Sequence, residues 1–431
     1  MPNQLALIIV YLLLVFGYTS THGFYSFPAF LLILISYILL LFSTQKFSQR
    51  KIFTNSIYLI FFASLSMSLV YYGGLYQLNN SLKLISYLII FFLIPISFLY
   101  IFNISSLINI SRNKFIVFLV CAVLLRIFMI VSSPEPKIDV YNSLKFGSAS
   151  IISGKNPYEI TFPKIYPNQI PTLYGYFPGS AIILLPFTLI LNDPRYAYIL
   201  ADLGSALILF WLLKTNINKN YPSIHELIPL IFLYNPMSLF VIEQSWLEPL
   251  LTFFVFLFVF LYLKNKLSYW PFIILGVALS IKQSMILIIP SLFLKLQWNI
   301  KQLLTVGLVS TLIIVPFFLW NPKEFIFDLT AGFNPVYNTA PANASLSLSS
   351  FLYNIKGLNL NNFIRFLSIL LLSILIFKKS QNSILDFIYS YTLFVFTVTM
   401  FYAQAFLNYF TFLSSLILMI LAVSFPNQKS K

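Results

Sequence analysis

"KFIVFLVCAVLLRIFMIVSSPEPKIDVYNSLKFGSASIISGKNPYE", residues 114–159, decides how this chain is read. Positions 115–132 form an apolar run of the length a helix needs to cross a hydrocarbon layer. Immediately after it come Glu135, Asp139 and Glu159, in a chain that has only 11 acidic residues. Carboxylates are strongly disfavoured in hydrocarbon, so their position marks where the chain leaves lipid.

Composition extends the same reading to the whole chain. Of 431 residues 59% are hydrophobic and 9% charged, and the mean hydropathy is +0.88. A water-soluble core cannot hide that much apolar surface, which implies an integral membrane protein. The net charge of +15 comes from basic residues in ones and twos between apolar runs, not from a continuous patch, and this argues against a nucleic-acid partner. The single cysteine, Cys121, excludes an intrachain disulfide and a cysteine metal cluster. The opening "MPNQLALIIVYLLLVFGYTS" lacks a basic n-region and a clear small-residue cleavage site, so it is expected to be a retained first span.

The expected fold is all-α and polytopic, with about fourteen transmembrane helices: five up to residue 132 and nine between 196 and 423. Lys46, Arg50 and Lys51 follow the second run, and Arg112 and Lys114 follow the fourth. Short basic loops stay in the cytoplasm, so both termini are expected there and residues 132–195 on the outer face. This parity requires that "FPGSAIILLPFTLIL", 177–191, does not span; its two internal prolines suit a helix on the outer face. The acidic residues then sort outward, with Glu135, Asp139, Glu159, Asp193, Glu243, Glu248, Glu324 and Asp328 outside. Chemistry is therefore expected at the outer face, although acids also tolerate that side better than lysines do.

Within "DVYNSLKFGSASIIS", Val140, Leu144, Gly147 and Ile151 fall on one helical face and Asn142, Ser143, Lys145, Ser148 and Ser150 on the other, which predicts an interfacial helix. Asp139 immediately precedes it and has two readings, an N-cap and a chemical role. The following "GKNPYEITFPKIYPNQIPTLYGYFPGS" is rich in turn formers and tyrosines and suits an ordered loop over a cavity. "VIEQSWLEPLL" and "SIKQSM" are expected as further outer tips, and Asn321 to Ser350 as a long loop without clear helical pattern. Inside the membrane Arg126 and Asp202 are expected at matching depth, able to form a structural pair.

In their order these pieces resemble the GT-C class of membrane glycosyltransferases that use polyprenyl-phosphate sugars. The resemblance rests on a carboxylate past a span, an amphipathic helix, "GKNPY", "YGYFPGS", "LYNPMSLFVIEQSWLEPLL", "LGVALSIKQSMILIIP" and "NASLSLSSFL", the last similar to a segment of its mannosyltransferase branch. It covers about residues 115–423, which makes 115–431 the expected glycosyltransferase core and leaves 1–114 as a four-span N-terminal extension. Where the class often has His or Arg beside Tyr near its last span, this chain has "YAQAFLNYF", with Gln404, Asn408 and Tyr409 as substitutes. The resemblance implies an outer-face transferase moving a sugar, mannose by its branch, from a polyprenyl-phosphate donor to a lipid, glycan or protein acceptor.

Such a transfer needs a base for the acceptor hydroxyl, cationic groups for the departing phosphate and a site sheltered from water. Asp139 is the expected base. Lys282, with Arg195 and Lys137 as weaker candidates, is expected at the phosphate, and Glu248, Gln244, Tyr176 and Tyr158 at the substrate. There is no Asp-x-Asp pair, so no metal or other cofactor is indicated; a single-carboxylate contact to a divalent metal stays open. Two alternatives remain: a transporter or flippase for lipid-linked sugars, and a polysaccharide polymerase or ligase. The chain shows no internal repeat and its polar residues gather at one face, which favours the enzyme.

Overall fold

The computed structural model describes residues 4–43, 50–102, 114–165, 173–216, 223–331, 343–378 and 383–425. Among these the chain is all-helical, with an isolated antiparallel bridge between Phe24 and Ser345. Helices satisfy their backbone polar groups internally, which is what apolar segments of this length require in lipid. Five stretches are long and apolar enough to cross a membrane: Asn80–Phe98, Lys114–Ser132, Tyr196–Thr215, Ile300–Trp320 and Ile384–Phe401, accompanied by shorter apolar helices.

The first four helices are α1 (Gln4–Ser20), α2 (Phe27–Phe42), α3 (Arg50–Val70) and α4 (Asn80–Phe102). Then come α5 (Lys114–Ser132), α6 (Asp139–Ile152), α7 (Pro178–Leu191), α8 (Tyr196–Asn216), α9 (Ile224–Leu233), α10 (Ser238–Glu243), α11 (Glu248–Lys264) and α12 (Trp270–Leu279). A 3-10 turn, Gln283–Ile288, leads into α13 (Ile289–Lys295), followed by α14 (Ile300–Trp320), α15 (Pro322–Ala331), α16 (Leu348–Lys356), α17 (Asn362–Phe377), α18 (Ile384–Phe401) and α19 (Leu407–Val423). The helices of the N-terminal region pack into the same bundle as the rest: α1 on α19, α2 on α18, α3 on α9 and α4 on α5.

Residues 227–242, one of the nine spans expected between 196 and 423, are broken at Asn235-Pro236 into α9 and α10. Proline has no N–H to continue the ladder, so carbonyls at the end of α9 need other donors. Arg126 supplies one, donating from Nη2 to Leu233 O at 2.9 Å, and Ser238 Oγ donates to the same carbonyl at 3.2 Å. Asn235 closes the break by donating to Tyr18 Oη at 2.7 Å and Ser414 Oγ at 3.1 Å. A buried polar network thus ties α1, the break and α19 together.

Two local expectations are corrected. In α6 the serine-bearing side is not turned outward: Ser143, Ser148 and Ser150 are buried along with Tyr141, Leu144 and Gly147. Their hydroxyls donate back to Val140, Leu144 and Gly147 carbonyls of the same helix, so burial leaves them satisfied. Residues 321–350 are helical at both ends. Asn321 Oδ1 accepts the Glu324 amide at 3.2 Å at the start of α15, and Ser347 Oγ accepts the Ser350 amide at 3.2 Å at the start of α16. Residues 332–342 lie outside the described residues.

Candidate functional site

Several chain segments meet at one end of the bundle, and glycine decides how closely. At Gly179 in the first turn of α7, a Cβ would lie 2.2 Å from Ser280 Oγ. Without one, Gly179 N donates to Ser280 O at 2.8 Å and seats α7 on the end of α12. The preceding loop then crosses the turn after α12, where Gln283 Nε2 donates to Gly175 O at 2.9 Å. This brings Tyr176 next to the segment carrying Lys282.

Lys282 Nζ is 2.7 Å from Glu248 Oε1 and 5.3 Å from the centre of the Tyr409 ring. The same carboxylate oxygen accepts from Asn408 Nδ2 at 2.9 Å. Glu248 is in the first turn of α11, where the helix dipole favours a negative charge. It reaches that position through a tight turn in which Ser245 adopts φ +59°, a left-handed conformation unusual for a residue with a β-carbon. Its side chain is 5% exposed and that of Lys282 12%, so the pair is sheltered and the lysine is its more accessible partner. Glu248 Oε2 is buried and accepts no hydrogen bond from the described residues.

Asp139 is the first residue of α6, with Ile138 in the cap position, so the carboxylate acts on the first turn without being the cap. Its Oδ1 accepts the Val140 amide at 2.9 Å, and the residue is half-buried. Tyr176 lies in the loop that leads into α7. Burial pushes the Tyr176 hydroxyl well above the ordinary tyrosine range, and the charges of Asp139 and Glu248 push it further.

The tyrosine-rich loop is ordered by aromatic packing and hydrogen bonds. Tyr158 donates to Tyr176 O at 2.7 Å and meets Tyr174 edge to face at 5.3 Å. Tyr174 shares a 2.7 Å hydrogen bond with Ser180, and its amide donates to Asp328 Oδ2 of α15 at 2.9 Å. Asn321 Nδ2 donates to Glu159 Oε1 at 2.6 Å. Burial lifts the Asp328 carboxyl to about 7, partly opposed by the Tyr174 amide and reinforced by Glu324. Residues 166–172 of the loop lie outside the described residues.

Other expected site residues are elsewhere. Arg195 is fully buried and directs its guanidinium to Asp193 at 2.6 Å, Ser133 O at 2.7 Å and Ser133 Oγ at 3.2 Å, with the Tyr141 ring 4.9 Å away. Lys137 is exposed in the turn between α5 and α6. Gln244 is buried beside Glu243. Arg126 and Asp202 form an ion pair at 2.9 Å. Among the described residues no group of three or more His, Cys, Asp or Glu side chains converges as a metal cage would. Asn408 and Tyr409, noted in sequence only as substitutes, touch the Lys282–Glu248 pair, and Gln404 lies in the preceding turn.

No family model matches the chain, and comparison with curated proteins and with solved structures gives no match. The fold and the side chains define a helical membrane-type protein with a lysine–glutamate pair, a half-buried aspartate and an ordered aromatic loop at one end.

Proposed function

We propose that the chain is a polytopic membrane glycosyltransferase with a GT-C-like architecture of about fourteen spans, its termini in the cytoplasm and its site on the outer face. It transfers a sugar, mannose by the resemblance, from a polyprenyl-phosphate donor to a lipid, glycan or protein hydroxyl. Asp139 takes the hydroxyl proton as the oxygen bonds to the anomeric carbon. The bond from that carbon to the phosphate oxygen breaks with its electron pair, inverting the centre, and Lys282 receives the released phosphate charge. Glu248 Oε2 accepts from a sugar or acceptor hydroxyl. The observation that carries this reading is the sheltered Lys282–Glu248 pair, with Asn408 on the same carboxylate oxygen and the Gly175–Gln283 hydrogen bond laying the tyrosine-rich loop against the segment that carries Lys282.

Purified protein given several radiolabelled polyprenyl-phosphate sugars and candidate acceptors should move label from one lipid to product. Retention of all label on every lipid, by folded protein, would reject the reading.

One observation favours transport of a lipid-linked sugar instead. The α9–α10 break lies beside the buried Arg126–Asp202 pair, and a small cavity lined by Arg126, Leu233 and Asn235 adjoins it; broken helices with intramembrane charges are features of transporter sites. Reconstituted vesicles distinguish the two: transport predicts translocation of the intact donor with no acceptor present.

A further inference from the structure

Residues 1–114 have no role in the reaction as written, yet one of their turns lies against the site. Between α3 and α4, Gly73 and Gly74 adopt φ +82° and +78°, and a Cβ on Gly73 would come 2.9 Å from Phe240. Two glycines thus allow this turn to press against α10. Glu243, at the end of α10, is fully buried. Its Oε2 accepts the Leu75 amide and its Oε1 the Tyr76 amide, each at 2.8 Å.

A carboxylate is disfavoured there both by burial and by the C-terminal dipole of α10. Its hydrogen bonds from these two amides offset that, and in accepting them it fixes the backbone of residues 75 and 76. On its other side the turn is fastened to α5: Gln77 Nε2 donates to Ser132 Oγ at 2.8 Å and Leu78 N to Ser132 O at 2.7 Å. Ser132 ends α5 seven positions before Asp139. The turn is therefore clamped between the two segments that carry the site carboxylates, 132–139 and 243–248. Tyr76, half-buried between them, has its hydroxyl raised above the ordinary range by burial and then by the charges of Glu243 and Asp139.

We infer that this turn is a wall of the sugar site: Tyr76 meets the bound sugar beside Asp139, and Glu243 is the positioning residue that holds it there. A tyrosine suits such a ligand, since its ring covers the apolar C–H side of a hexose and its hydroxyl bonds a sugar hydroxyl. The inference rests on the proposed donor. It gives the N-terminal helices a part in substrate recognition.

The test uses the full chain with Cys121→Ser and Tyr76→Cys, purified and reacted with a membrane-impermeant maleimide. Saturating polyprenyl-phosphate mannose, radiolabelled in the sugar so that its retention is counted in the same sample, should slow labelling of the Tyr76→Cys thiol at least tenfold. Unglycosylated polyprenyl phosphate should not slow it, and a Leu78→Cys control should label at an unchanged rate. Retained donor with an unchanged Tyr76→Cys rate would overturn the wall while leaving the donor reading intact; failure of the Cys121→Ser protein that keeps Tyr76 to retain donor would overturn both. Glu243→Gln preserves size but deprives one amide of its acceptor. A raised donor KM, about tenfold, with kcat within threefold supports positioning, whereas lower thermal stability with unchanged KM would make Glu243 purely structural and overturn its assigned role.

Discussion

Lys282 Nζ stands 2.7 Å from Glu248 Oε1, joining the turn after α12 to the first turn of α11 in a sheltered ion pair. Each charge is held near apolar helices by the other, and Asn408 adds a hydrogen bond to the carboxylate. Breaking such a pair from one side leaves an uncompensated buried charge, which costs about 3–5 kcal/mol, whereas replacing both partners with apolar residues is often nearly neutral.

This separates stability from binding. Lys282→Met alone should lower the thermal midpoint markedly, and Lys282→Met with Glu248→Leu should recover most of it. Donor binding, followed with a radiolabelled polyprenyl-phosphate sugar, should be lost in both. Wild-type donor affinity in the folded double variant would remove Lys282 from the phosphate site.

Asp139→Asn retains an acceptor for the Val140 amide and cannot take a proton. The variant should fold, bind donor, and transfer sugar on the order of a hundredfold more slowly or worse. Turnover at the wild-type rate would dismiss Asp139 as the base and make Glu248 the next carboxylate to examine.

Asp328 predicts a pH dependence. Its folded carboxyl is raised from 3.8 to about 7, so the folded state binds the proton more tightly than the unfolded chain does. The stability this gives is fully present below the unfolded value and is lost as pH rises through about 7. The wild-type thermal midpoint should therefore fall between pH 5 and pH 8, and Asp328→Asn, which still accepts the Tyr174 amide, should flatten that slope. An equal slope in both proteins would assign the dependence to other groups.

Orientation is open to a direct measurement. Lys155, Asn343 and Asn265 are all exposed. On a Cys121→Ser background, single cysteines replacing Lys155 and Asn343 should react with an impermeant thiol reagent in intact cells, and one replacing Asn265 should react only after lysis. The reverse pattern would invert the topology.

What sequence could reveal follows from how local each property is. The long apolar runs determine a helical membrane-type chain, because backbone satisfaction in lipid leaves few other solutions. Asp139 after α5 and Lys282 in a turn between short helices were legible for the same reason: both charges are punctuation in apolar text. The serines of α6 misled because a hydroxyl bonded to its own helix can be buried, so its polarity does not mark an exposed face. The Gly73-Gly74 pair, which the sequence reading did not single out, permits a tight approach, but nothing local names what approaches.

Only the tertiary structure decided which charges meet. Glu243 and Glu248 are five positions apart in one short motif, yet one clasps the backbone of the α3–α4 turn and the other pairs with Lys282. Arg195 and Lys282 are both cations near helix ends; one is enclosed by Asp193 and Ser133, while the other pairs with Glu248 and stays partly exposed. Hydrophobic periodicity reports how each helix meets its surroundings, but the partners of a buried charge are set by how helices distant in sequence pack, and that is a property of the whole bundle.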